Sequence, residues 1–292
     1  MRDFIPIWFV IPNWNLRDDL LECLHSITRV KDELSNFEMV VVDNGSTDGS
    51  PEAVEEIFNG KVYVLRITEN KGFAYASNQG IKFALAGGAA SIFLLNNDTI
   101  VLEGTVSRLL EVASSGVADI VSPSIYYASH PERLWRFGDR RVKVLGGLPV
   151  PVYPRSGEII QLDYVTGCAM LVHSSVFERI GFFDEQFFMY YEDADFCHRA
   201  TNSGYRIVGV PGAKVLHKVS RSSVRRPEDA LYWRTFGLVR FAKKHFGDFS
   251  PFFISAFVTL KLLQLFFRSY EKSGLTGLKG VWTGIHQALT RR

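Results

Sequence analysis

Oxygen-bearing side chains gather at a few points of this chain where an apolar run gives way to turn-forming residues. Asn96-Asn97-Asp98 directly follows the unbroken apolar run Ile92–Leu95. A hard divalent cation takes oxygen ligands, and Asp98 offers a carboxylate flanked by two amide oxygens. The same residue types also build ordinary Asn/Asp turns that satisfy only local backbone, and taken alone the triplet leaves both uses open. Asp43 closes a second apolar run and opens the turn-rich stretch Asp43–Ser50. Its carboxylate could accept from the N–H of a pyrimidine base or from its own loop, Asn44–Ser46. Farther on, Glu192, Asp193 and Asp195 follow Phe182, Phe183, Phe187, Phe188, Tyr190 and Tyr191. Acids at the start of a helix are often plain caps. Carboxylates set among aromatic rings also suit a base sheltered from water. His217 by itself reads as a structural histidine. Arg221 and Arg225 sit in a basic stretch that could close on a diphosphate or remain a solvated turn.

The elements that would position these groups alternate. Ile7–Ile11 reads as a buried strand ended by Pro12-Asn13-Trp14-Asn15. Asn15 is placed to cap a helix over Asp18–Thr28, where Leu20, Leu21, Leu24 and Ile27 recur at helical spacing. Strand Met39–Val42, helix Pro51–Phe58 and strand Val62–Ile67 follow. Then come Asn70-Lys71-Gly72-Phe73, a helix of small residues to about Leu85, and strand Ser91–Leu95. Alternation of this kind predicts an α/β fold with a mostly parallel, doubly wound sheet. In such a sheet Asn15, Asp43 and Asp98 meet at one edge, where open α/β sheets bind ligands. The first turn lacks G-x-G-x-x-G, which argues against a dinucleotide-binding domain. Residues 124–162 lose the alternation and read as an irregular insertion or hairpin region able to shape an acceptor cleft. Tyr164–Val172 enters another buried strand, a helix runs from Glu192 through Ser203, and strand Arg206–Val210 precedes Lys214–His217. Helices are expected over Asp229–Phe246 and Pro251–Tyr270.

The chain has 292 residues, 47% of them hydrophobic, enough for a sizeable core. Residues 1–213 carry 18 basic and 27 acidic side chains, and residues 214–292 carry 15 and 4. A basic tail on an acidic body suggests an anionic partner such as phosphate or a lipid surface. A nucleic-acid role is not expected, because no aromatic-interleaved basic strand or recognition helix is present. Three scattered cysteines without a C-x-x-C pair fit a reduced, cytoplasmic setting, and no signal peptide is read at the amino terminus. Phe252–Phe267 is apolar but only 16 residues long and includes Lys261, which is short for a membrane span. Peripheral contact with the inner face of a membrane, or packing in a homodimer through these helices, is expected of it.

Taken in order, VIPNWN, VVVDNGSTDGS, ENKGFAYASNQG, LLNNDT, GCAMLV, GFFDEQFFMYYEDADFCHRA and the late VLH closely resemble the inverting family 2 glycosyltransferases of the GT-A fold. The likeness is strongest to the rhamnosyltransferase branch and covers about residues 5–220. It implies a glycosyltransferase domain over 1–220, with a nucleotide-sugar half (1–122) and an acceptor half (123–220), and a basic helical extension over 221–292. It implies that Asn13, Trp14, Asn15 and Asp43 hold the nucleotide, that Asn70, Gly72 and Asn78 line the donor side, and that Asn96-Asn97-Asp98 stands in place of the DXD motif. Asp98 would then ligate Mg²⁺ or Mn²⁺ with help from His217, and Asp193 would be the catalytic base. Gly167, Glu192, Arg221 and Arg225 are placed as contacts to acceptor or diphosphate. The chain departs from DXD by having Asn96 where many members carry the first aspartate. The expected donor is dTDP-rhamnose and the acceptor a glycan or lipid-linked saccharide of a cell-surface polysaccharide. A UDP-hexose or UDP-galactofuranose donor, or a catalytically silent glycan-binding protein, are the alternatives.

Overall fold

The computed structural model describes residues 7–30, 37–142, 148–155, 157–219, 227–246, 259, 263, 280–288 and 290. Strand β1 (Ile7–Asn13) is buried along its whole length. Its period of two sends Ile7, Phe9 and Ile11 to one side of the sheet and Trp8 and Val10 to the other. The first set packs with Leu20, Leu24 and Ile27 of helix α1 (Arg17–Arg29) and with Val54 and Phe58 of α2 (Ser50–Phe58). The second lies under the small residues of α3 (Phe73–Ala86). A Cβ on Gly80 of α3 would stand 2.4 Å from the Val10 side chain, so only glycine allows this approach to the sheet.

β1 pairs in parallel with β2 (Phe37–Asn44) and β4 (Ser91–Leu95), and β2 pairs in parallel with β3 (Tyr63–Ile67). This is the parallel half that the alternation predicts. The register sets Asn13 directly opposite Asp43.

The second half contributes β5 (Thr99–Val101), α4 (Thr105–Ser114), β6 (Ile120–Tyr127), β7 (His130–Arg136), β8 (Gly138–Val142), β9 (Leu148–Val152), β10 (Ile160–Leu162), β11 (Ala169–His173), α5 (Ser174–Ile180), α6 (Glu192–Asn202), β12 (Ile207–His217) and α7 (Pro227–Phe246). The main sheet runs β10-β12-β6-β11-β4-β1-β2-β3, with β5 on β12 and β7 on β6. β11 is antiparallel to both of its neighbours, so the sheet as a whole is mixed. Residues 124–162 are not irregular throughout: they hold the β6–β7 pair and a separate β8–β9 hairpin.

Two local expectations change. Asn15 does not cap α1: both Asn15 and Leu16 are left-handed (φ 58° and 63°), Leu16 precedes the helix, and the Asn15 side chain is engaged elsewhere. The two pieces expected at 206–217 form one strand, β12, with a register shift between Val210 and Lys214. Beyond that shift Val215–His217 pair with β5 on one side and with β6 on the other, which sets His217 opposite Thr99. The helix expected over Pro251–Tyr270 lies outside the described residues apart from positions 259 and 263. Among the described residues no helix is long and apolar enough to cross a membrane.

Candidate active site

The carboxyl ends of β1, β2 and β4 hold a connected set of amides and acids. Asn13 Nδ2 donates to Asp43 Oδ1 (3.2 Å) and to Ser46 Oγ (3.1 Å), and the Ser46 amide donates to Asp43 Oδ2 (3.2 Å). Asn97 Nδ2 donates to Asn13 Oδ1 (2.6 Å) and to the Asn15 carbonyl (3.1 Å). Asn15 Oδ1 accepts from the Thr47 amide (2.9 Å), and the Asn15 amide donates to Ser46 Oγ (2.8 Å). Every one of these side chains is buried except Ser46. Each buried polar group finds a partner, as burial demands. Asp43 thus uses both the loop and Asn13. Trp14 stands beside the cluster, half-buried.

The next turn is clamped by Asn44, whose Nδ2 donates to Asn70 Oδ1 (2.9 Å) and to the Gly72 carbonyl (3.1 Å). The Lys71 amide returns a bond to Asn44 Oδ1 (3.0 Å). Gly72 has φ +93°, and a Cβ there would fall 2.4 Å from the Phe188 carbonyl oxygen. Gly72 therefore serves close packing against the loop ahead of α6. Asn78 has a similar structural task. Its amide bonds the Phe183 carbonyl (2.9 Å), Glu185 (2.9 Å) and the Phe183 amide (3.0 Å), so it anchors that loop and does not hold out a free amide to a donor.

Asp98 and His217 form the next pair, with Nε2 3.1 Å from Oδ1 and both side chains about 5% exposed. The Trp135 ring stands edge-on to the imidazole at 4.5 Å between centroids. The Lys218 amide donates to the Asp98 carbonyl (3.0 Å). Its ammonium pairs with Asp19 and with Glu22 (2.6 Å), which ties α1 to this corner. Two buried atoms here have no partner among the described residues, Asn96 Oδ1 and His217 Nδ1. Among the described residues no three His, Cys, Asp or Glu side chains gather round one point. A Mg²⁺ or Mn²⁺ ion completed by substrate phosphates and water needs only one or two such donors, and Asp98 with His217 fits that requirement.

Asp193 lies in the first turn of α6, half-buried. Its Oδ2 accepts from the Gly167 amide (3.0 Å) and its Oδ1 from the Ala194 amide (2.8 Å). Glu192 beside it is buried, and its Oε2 has no partner among the described residues. Burial, and secondarily the Asp193 charge, push the Glu192 carboxyl well above its ordinary value. The two acids stand side by side at the start of α6, and burial disfavours the charged form of Glu192. Both are aimed by Tyr190 and Tyr191, consecutive left-handed residues (φ 68° and 73°).

Covalent and hydrogen-bonded links join these groups. Gly167 meets Asp193, and the next residue, Cys168, accepts from the Asn96 amide through its carbonyl (2.9 Å). Burial, and after it the charge of Asp98, raises the Cys168 thiol well above its usual value. Asp43, Asp98 and Asp193 therefore border one region of the sheet edge. Arg221 and Arg225 fall outside the described residues. Sequence reasoning named the loop Asn44–Ser46 as a partner for Asp43 but missed the bonds to the Ser46 hydroxyl and those of the Asn44 side chain. It also missed Trp135, whose approach to His217 depends on the β6–β7 pairing and has no local sequence signal.

Three comparisons bear on this arrangement. The family model described as Glycosyl transferase family 2 matches residues 8–181. The chain is 30% identical over 219 residues to the N-acetylglucosaminyl-diphospho-decaprenol L-rhamnosyltransferase of Mycobacterium tuberculosis, which covers 66% of this chain and 70% of that protein. It is 28% identical over 207 residues to the low-salt glycan biosynthesis hexosyltransferase Agl10 of Haloferax volcanii, covering 68% of this chain and 62% of the other, so it spans less than two thirds of that relative. Among solved structures, the mannosyltransferase of Pyrobaculum calidifontis in complex with GDP-Man and Mn²⁺ superposes with a TM-score of 0.56 at 18% identity, over 98% of this chain and 75% of that one. With the mixed sheet and its edge cluster already in place, these likenesses lead to one conclusion: the chain belongs to glycosyl transferase family 2, has the GT-A fold, and counts rhamnosyltransferases among its relatives.

Proposed function

We propose that this chain is a metal-dependent, inverting glycosyltransferase that moves L-rhamnose from dTDP-rhamnose to a hydroxyl of a glycan or lipid-linked saccharide in cell-surface polysaccharide synthesis. The observation that carries the proposal is the run of contacts from Asp43 through Asn13 and Asn97 to Asp98, and from Asn96 through Cys168 and Gly167 to Asp193. Acids from distant parts of the sequence border one region in this way, where open α/β sheets take their ligands. The choice of donor rests on the relatives named as rhamnosyltransferases.

In this reading Asn13, Asn15 and Asp43 receive the nucleotide, with Trp14 beside them. Asp98 and His217 would hold Mg²⁺ or Mn²⁺, which when bound offsets the charge of the departing diphosphate. Asp193 takes the proton of the acceptor hydroxyl as its oxygen attacks the anomeric carbon. The new carbon–oxygen bond forms on the face opposite the one that breaks, and the nucleoside diphosphate leaves with the bonding pair. The Gly167 and Ala194 amides fix both Asp193 oxygens, so the base is oriented before the acceptor arrives. Burial of Glu192 disfavours a second negative charge beside the diphosphate.

The test is a screen of dTDP- and UDP-sugars against membrane extract as acceptor, read by mass spectrometry, with the anomeric configuration of the product assigned by NMR. Transfer from dTDP-rhamnose with inverted configuration is expected. Transfer only from a UDP-sugar replaces the donor, and retention of configuration removes Asp193 from its role. Asp193→Asn should lower kcat by roughly 10²–10⁴ while leaving nucleotide affinity unchanged.

A further inference from the structure

Beyond the reach of the matched family model, which ends at residue 181, helix α7 is fastened to the segment that carries Asp193. Asp195 lies two residues after Asp193, fully buried, with its amide donating to the Tyr191 carbonyl (2.9 Å) in the first turn of α6. Its Oδ1 accepts from His245 Nε2 (2.8 Å) and pairs with Lys244 Nζ (2.7 Å), both from the last turn of α7. Its Oδ2 accepts from Arg199 Nε (2.8 Å), whose other nitrogens bond the Ile180 and Phe182 carbonyls (2.7 Å each). Burial alone would raise the Asp195 carboxyl, but the hydrogen bonds from His245 and Lys244 and the Arg199 charge outweigh it and hold the carboxyl well below its ordinary value.

Over the two to three turns before these residues, α7 presses on the residues that aim the acids. A Cβ on Gly237 would come 2.7 Å from the Tyr190 carbonyl oxygen and 3.0 Å from the Tyr191 ring. The Phe241 ring meets Tyr191 at a tilt (5.9 Å between centroids), Trp233 stacks on Phe188 (4.4 Å), and the Arg234 guanidinium lies 4.7 Å from the Tyr190 ring. Two consecutive non-glycine residues in the left-handed region persist only when their surroundings hold them there. The surroundings here are supplied by α7.

We propose that Lys244 and His245, acting through Asp195, and Gly237, acting through the Tyr190–Tyr191 turn, are positioning residues for Asp193. This rests on the reading of Asp193 as the base. None of the three touches the region bordered by Asp43 and Asp98, so their loss should spare nucleotide binding and slow the chemical step. A bare packing role would instead weaken folding without separating those two quantities.

The experiment uses the full chain with His245→Leu, His245→Gln, Lys244→Met and Gly237→Ala. His245→Gln keeps an N–H for Asp195 and His245→Leu does not. For His245→Leu and Lys244→Met, kcat should fall by roughly 10–100-fold, as displacements of about 1 Å at a base produce. UDP and dTDP affinities by calorimetry should stay within about twofold, and His245→Gln should recover most of the rate. Hydrogen exchange is measured in parallel. His245→Leu should speed exchange at the amides of residues 194–197, with no change at residues 43–46. An unchanged kcat in folded variants, or a kcat loss matched by lost nucleotide affinity, overturns the proposal. If the unaltered chain transfers no sugar, the proposed function fails instead, and the exchange pattern still decides whether α7 holds the Asp193 turn.

Discussion

Glu192 makes a prediction whose size follows from burial. Its side chain is 5% exposed, its Oε2 has no partner among the described residues, and Asp193 stands next to it. Burial first and Asp193 second raise its carboxyl well above the ordinary value. In the unfolded chain a glutamate releases its proton near pH ~4.3. Above that pH the unfolded state loses a proton that the folded state keeps, so stability declines as pH rises, until the folded value is passed. The limiting slope is ~1.4 kcal/mol per pH unit. Glutamine has no proton to release, so Glu192→Gln removes this decline. Over two pH units the advantage of the variant should grow by ~2–3 kcal/mol, or roughly 5–10 °C in Tm for a domain of this size. Exchanging carboxyl for amide adds a constant offset at every pH, and only the slope matters. Melting curves of both proteins from pH 4.5 to 7.5 at fixed ionic strength provide the test. Parallel curves would mean that Glu192 ionises in the folded state and that the site carries two adjacent negative charges, contrary to the reasoning. In an Asp193→Asn background the slope should shrink but persist, because burial is the larger cause.

Three further outcomes follow from the site. Asp98→Ala leaves His217 without its carboxylate, and Mn²⁺-dependent nucleotide affinity should drop at least ~10-fold, since even outer-shell partners of metal ligands are worth that much. Calorimetry with and without Mn²⁺ reads it, and equal affinities would remove the metal assignment. Asp43→Asn sets an amide against the Ser46 N–H and Asn13 Nδ2, two donors that need acceptors. It should cost ~1–3 kcal/mol in urea denaturation and weaken dTDP and UDP binding together. Gly72→Ala drives a Cβ onto the Phe188 carbonyl at φ +93° and should destabilise by more than ~1 kcal/mol, seen as a lowered Tm.

How far the sequence could be read depended on whether a feature was local. β1, β2 and β4 announce themselves because a strand covered on both faces must be continuously apolar, and turn residues mark where each ends. Asn15, Asp43 and Asp98 could therefore be placed at one edge from strand ends alone, and the register that sets Asn13 opposite Asp43 follows from parallel neighbours. The ordered motifs added roles for Asp193 and His217, which no periodicity distinguishes from caps and core histidines. Asn15 was misjudged because capping preference describes a residue in extended backbone, whereas here it turns left-handed to serve Thr47 on another loop. The hydrogen bonds of Asn78 had no local signal either: its partners, Phe183 and Glu185, are more than a hundred positions away. The largest omission was what α7 packs against, since the helix itself was expected over Asp229–Phe246. Its residues Gly237, Lys244 and His245 carry no motif, and a basic, apolar segment reads equally well as a surface for lipid or for a second chain. What assigns them is the Tyr190–Tyr191 turn, a strained conformation that something must hold, and the buried Asp195 carboxylate, a charge that something must neutralise. Both demands arise within five positions of Asp195, and α7 meets both.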